Sequence, residues 1–182
     1  MLGLSVVFVL SWLLVWLFTK EHITALGIIP NGKRLREFSI GLSLMALFCV
    51  INLLGQSYFK EISYVRNPDY GFCESLDGVW WTFKAALFEE LIFRGAILYL
   101  IIKKKGINWA CIISAIAFGI YHWFSYQMFD RGIIPMIYVF LLTGAAGWMF
   151  AYAFARTRSI FAPLGLHFGW IVISIVVFSE GP

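Results

Sequence analysis

Phe88-Glu89-Glu90-Leu91-Ile92-Phe93-Arg94 lies at the middle of an otherwise apolar run, residues 79–102, and the reading of that run decides the fold. Its 24 residues make about 36 Å of helix, enough to cross a hydrocarbon core of about 30 Å with some tilt. The run reads as a membrane span that carries two carboxylates and a guanidinium at mid-depth. Each such charge costs at least about 2.5–3.5 kcal/mol to insert, so they belong in a protein interior or a wet cavity and mark a functional site.

The rest of the chain fits this reading. Of the 182 residues, 61% are hydrophobic and 13% charged, against about 45–50% apolar and about 25% charged in soluble domains. The expected fold is all-α, a polytopic transmembrane helix bundle of about six spans forming a single integral membrane domain over residues 1–182. These residues leave no room for a separate soluble catalytic domain, so any chemistry sits among the helices. The net charge of +4 implies no nucleic-acid partner, because the basic residues cluster in loops; the lipid bilayer is the partner. Cys49 and Cys111 fall in spans and Cys73 in a loop, without CxxC or Cys/His spacing.

The expected spans are 2–19, 38–54, 79–102, 107–124 with a possible extension to 129, 133–155 and 159–178. The first lacks a basic start and a small-residue cleavage site, so it reads as a retained helix. Asp77-Gly78 is the expected cap of the central span and Lys103-Lys104-Lys105-Gly106 its end; the longest loop is 55–78. On the fifth span Thr143, Gly147, Ala151 and Ala155 recur at steps of four, a stripe for close helix packing. Loops one, three and five carry nine Lys and Arg against three in loops two and four, counting Arg66. The positive-inside rule then places the odd loops in the cytoplasm and both termini outside, most naturally in the plasma membrane.

Glu90 and Arg94 are four residues apart, so they share a helix face and can pair. Glu89 points about 100° away. Neither Lys84 nor Arg94, five residues to either side, is well placed to neutralise it, and Lys84 reads as snorkelling to the interface. An unpaired buried carboxylate suits a general base that takes a proton from water and returns it. Of the three histidines, His22 reads as a solvated loop residue, while His122 and His167 lie on apolar backgrounds. A histidine can orient water or give an N–H to an oxyanion. Glutamate, water and two histidines suffice for peptide hydrolysis.

Glu89-Glu90-x-x-x-Arg94, Phe118-x-x-x-His122 and Ser159-Ile160-x-x-Pro163-x-x-x-His167 together resemble the three-motif signature of the CAAX protease and bacteriocin-processing enzyme family, also called the Abi family. The resemblance covers about 79–174. It implies an all-helical intramembrane endopeptidase of glutamic type, acting on a membrane-associated protein or peptide. By position, Glu89 would be the base, His122 and His167 would orient water or stabilise the oxyanion, and Glu90 and Arg94 would support the site. The chain departs from the pattern at Ile171, where many members have Asn, so an oxyanion donor is missing unless Trp170 or Ser174 supplies one.

Two histidines and a glutamate match a catalytic zinc site by count, but no His-Glu-x-x-His helix occurs, so no metal or other cofactor is expected. Two competing functions are a non-catalytic membrane adaptor or regulator and a proton or cation carrier. A carrier usually shows an internal repeat, and none is evident. Counted from the outer ends of their helices, Glu89 and His167 lie at about 15 and about 16 Å. His122 lies at about 3 Å, or about 10 Å if its helix runs to Phe129. The longer helix fits a shared cavity opening outward, which favours processing or sorting of exported proteins over cleavage of prenylated tails in the cytoplasm.

Overall fold

The computed structural model describes residues 2–65, 67–68 and 70–178, in which every regular element is helical and no strand occurs. The helices are α1 (Leu2–Thr19), α2 (Gly32–Lys60), α3 (Phe72–Arg94), α4 (Ala96–Lys105), α5 (Ile107–Ser125), α6 (Ile133–Thr157) and α7 (Phe161–Ile171). A short 3-10 turn, Ile23–Leu26, precedes α2, and α7 continues as π-helix over Val172–Val177. By length and apolarity α1, α2, α5 and α6 can each cross a membrane alone. This is an all-helical integral membrane protein.

Neighbouring residues give the direction of each helix. Gly3 faces Phe88 and Ser11 faces Gly95, while Val15 clusters with Leu98 and Tyr99, so α1 runs parallel to α3 and α4 taken together. On α7, Gly165 meets Phe38 and Gly169 meets Leu42 of α2, another parallel pair. Gly119 against Phe140 and Gly144 against Ala115 make α5 and α6 antiparallel. The chain therefore alternates direction, with α3 and α4 forming one broken traverse.

The break corrects the expectation of a single helix over 79–102. Gly95 turns out of helical geometry at ψ −134°, and a Cβ there would strike the Leu91 carbonyl and lie 3.2 Å from Ser11 Oγ. The Leu91 carbonyl thus leaves no room for a side chain at this break, which lies beside α1. Asp77-Gly78 does not cap α3 either. The helix starts at Phe72, where the Gly71 N–H donates to Glu74 Oε2 at 3.0 Å, and Gly78 lies inside it, packed on Val176. Helix α2 is longer than expected at both ends. Asn31 Oδ1 accepts the Arg34 N–H at 3.0 Å and starts it at Gly32, and it runs on to Lys60, so the loop shrinks to 61–71. Arg66 and Asp69 of that loop fall outside the described residues. Helix α5 ends at Ser125 and does not reach Phe129. The other ends follow the sequence signals: Gly106, at φ +83°, closes α4 and donates to the Ile102 carbonyl.

Small residues bring the helices close enough to fix the site. A Cβ on Gly169 would sit 2.5 Å from the Leu42 carbonyl oxygen, and one on Gly147 would sit 2.8 Å from Phe118 Cβ. Thr143, Gly147, Ala151 and Ala155 are all buried in α6. Without a hydrophobic drive between helices in lipid, such backbone contact supplies the association through van der Waals packing.

Candidate active site

The site is built outward from Arg94, the largest fully buried side chain. Its guanidinium donates to Glu90 Oε1 at 3.1 Å and to the Gly147 carbonyl at 3.3 Å. Glycine at 147 lets α6 come close enough to offer that carbonyl. The rings of Phe118, Phe150 and Phe93 surround the cation at 4.3, 5.0 and 5.6 Å from their centroids. Glu90 and Arg94 are both 0% exposed, so this charge pair is held by protein on all sides.

His167 joins the pair from α7, its Nδ1–H donating to Glu90 Oε1 at 2.8 Å. The ring is fixed by stacking on Phe150, 5.1 Å between centroids. Its other nitrogen, Nε2, lies 3.8 Å from Glu89 Oε2. Glu89 is thus the outermost of the acidic pair, its side chain 17% exposed. Oε1 accepts the Tyr121 hydroxyl at 3.3 Å; Oε2 is buried with no hydrogen-bond partner in the described residues, an orphan that calls for a ligand.

His122 stands beside this group rather than on it. Its Nδ1–H donates to the Phe118 carbonyl at 2.8 Å, and its ring packs on Phe118, Tyr121 and Tyr126. The Phe118 ring also meets His167 edge-on at 5.9 Å, so one aromatic side chain spaces the two histidines. Glu89, Glu90, Arg94 and His167 are brought together directly, and His122 through Phe118 and Tyr121.

Other sequence expectations resolve as follows. Lys84 sits over the Trp80 ring at 5.5 Å and leaves Glu89 alone. His22 caps the 3-10 turn through Thr24 and packs against Trp12. Trp170 faces Phe48 on α2 at 6.2 Å, and Ile171 packs on the apolar cluster of Ala86, Leu164 and Phe168. The longer α5 is not needed to bring its end to the site. Early capping sets Glu89 about 26 Å along α3, so α3 stands beyond the end of α5, and Tyr121 meets Glu89 sideways. Two cavities lie elsewhere in the bundle, neither lined by Glu89, His122 or His167. One of about 240 Å³ is lined by Tyr99, Ile102, Lys103, Phe154, Ala155 and Arg158, and one of about 120 Å³ lies between α4 and α5 around Leu98 and Ser114. Tyr121 escaped sequence reading, although its place beside His122 and three residues after Phe118 was a legible signal.

Among the described residues no group of three or more His, Cys, Asp and Glu is disposed to hold a metal ion. Both histidines are held at Nδ1 by protein acceptors and keep Nε2 free, an orientation that serves a water-positioning histidine and a metal-ligating one alike.

Residues 74–173 match the family model described as type II CAAX prenyl endopeptidase, Rce1-like. The chain belongs to this family. The Rce1-like match takes in all of α4, α5, α6 and α7 and most of α3, and so every residue of the polar cluster. A curated relative, "Putative membrane peptidase YdiL" of Bacillus subtilis (strain 168), is 32% identical over 81 residues, 44% of this chain. The match spans 28% of that relative's length. No solved structure matches the chain.

Proposed function

We propose that this Rce1-like protein is an intramembrane endopeptidase of glutamic type, in which Glu89 activates water and His167 and His122 position it. The observation that carries the reading is the orphaned Glu89 Oε2 facing His167 Nε2 at 3.8 Å. With Nδ1 protonated toward Glu90, neutral His167 presents a lone pair at Nε2. A water donating one proton to Oε2 and the other to Nε2 keeps its own lone pair free for attack. Glu89 then takes a proton as the water oxygen bonds to the peptide carbonyl, and returns it to the leaving nitrogen. The Glu90–Arg94 pair holds His167 by its far nitrogen.

The substrate class is a membrane-associated protein or peptide. Tyr121 lies about 6 Å from the end of α5, the end that positive-inside places outward, which supports access from the outer side and a role in processing or sorting exported proteins. The test uses the full chain in detergent and an internally quenched peptide bearing an apolar anchor segment. Wild type is expected to cleave it, and Glu89→Gln to abolish cleavage while eluting as a folded protein. Full activity in Glu89→Gln removes the glutamate from the mechanism. No cleavage by wild type across a panel of such peptides favours the adaptor reading that Ile171 keeps in view.

A further inference from the structure

The proton positions in this site leave a hydrolytic mechanism short of one donor. A carbonyl oxygen can only accept, so the 2.8 Å contact to Phe118 places the His122 proton on Nδ1. Glu90, paired with Arg94, accepts in the same way from His167 Nδ1. In the neutral rings both Nε2 atoms are therefore acceptors, and a second proton on His167 would be aimed at Glu89. The Arg94 guanidinium is enclosed by Glu90, Gly147 and aromatic rings. The Trp123 N–H is taken by the Met136 carbonyl, and residue 171 is an isoleucine in an apolar cluster. None of these can meet the charge that grows on the carbonyl oxygen of an attacked peptide.

Tyr121 can. Its hydroxyl is a neutral donor beside the base, 3.3 Å from Glu89 Oε1, a long contact for an O–H donor and one easily exchanged. The ring is held edge-on by Phe93 and His122, both 5.2 Å away. We propose that Tyr121 is a catalytic residue whose O–H turns from Glu89 to the carbonyl oxygen of the bound peptide and stabilises the oxyanion. The proposal rests on Glu89 as the base. As the water oxygen bonds to the carbonyl carbon, its proton passes to Glu89 and the C=O π pair moves onto oxygen, where the Tyr121 hydroxyl donates a hydrogen bond without losing its proton. Collapse restores C=O, breaks C–N and returns the proton from Glu89 to nitrogen. Water and peptide become acid and amine, with no further reactant.

Tyr121→Phe keeps the ring and removes the donor. In the quenched-peptide assay kcat should fall about 10²–10³-fold with KM unchanged. A peptide aldehyde of the cleaved sequence, whose hydrate mimics the tetrahedral intermediate, should lose affinity by a similar factor while the cleaved product's affinity stays the same. Full kcat in Tyr121→Phe with Glu89→Gln inactive would overturn this proposal and leave the base standing. A lower kcat with unchanged aldehyde affinity would also overturn it, since that is the outcome for a tyrosine that merely positions Glu89. An active Glu89→Gln would remove the base and this proposal together.

Discussion

Arg94 has partners of two kinds. The carboxylate and carbonyl each accept from one of its terminal nitrogens, Nε–H having no hydrogen-bond partner among the described residues, while three phenylalanine rings replace water around it. Arg94→Ala leaves Glu90 buried without its cation, a change that costs about 3–5 kcal/mol. A large drop in the melting temperature in detergent should follow; an unchanged melting curve would show that the pair contributes nothing to folding. The histidines allow a second residue-scale expectation. Because Glu89 and the histidines activate water without a metal in the proposed mechanism, activity should survive dialysis against a strong chelator. Loss of activity with recovery only on adding zinc would replace the acid-base reading with a metal one.

At the scale of elements, two glycines make opposite predictions. Gly169 faces the α2 backbone, and a Cβ would lie 2.5 Å from the Leu42 carbonyl oxygen. Gly169→Ala must push α7 from α2, so a loss of about 1–3 kcal/mol is expected. Gly55, within α2, has open space on the side where a Cβ would project, with no atom within 4 Å, so Gly55→Ala should stabilise by about 0.5–1 kcal/mol. Thermal unfolding of the two variants decides both, and shifts of equal sign would contradict the packing. The end of α1 is tied to α4 outside the spans. Glu21 accepts from Lys103 at 2.7 Å and from the Tyr99 hydroxyl at 2.5 Å, and these hydrogen bonds hold its carboxyl at about 2 against an ordinary 4.5. A depressed folded-state value means that the tie stabilises fully above 4.5 and is lost as pH falls toward 2. Glu21→Gln should therefore melt lower than wild type at pH 7, with the gap closing through that acid window.

For the whole molecule, alternating helix direction and the nine-to-three bias of basic residues predict the odd loops inside and the termini outside. The protein carries its own probe of this: Cys73, at the start of α3, is exposed, whereas Cys49 and Cys111 are buried. A membrane-impermeant maleimide should label intact cells, and Cys73→Ser should abolish the labelling. Labelling only after permeabilisation would reverse the orientation and with it the outward access proposed for the substrate.

Residue type and spacing alone determined the all-helical membrane fold and the Glu90–Arg94 pair, because hydropathy and the 3.6-residue period act within one helix. The ends at Thr19 and Lys105 were legible for the same reason, the latter through Gly106, whereas both ends of α2 and the start of α3 were not. What spacing cannot convey is where one helix lies against another. The break at Gly95, the meeting of Tyr121 with Glu89 across two helices and the packing of Ile171 beside Ala86 are features of the tertiary structure alone. The histidine protons, and so the need for a further donor that Tyr121 can meet, were likewise decided by tertiary structure, since each depends on which acceptor Nδ1 meets.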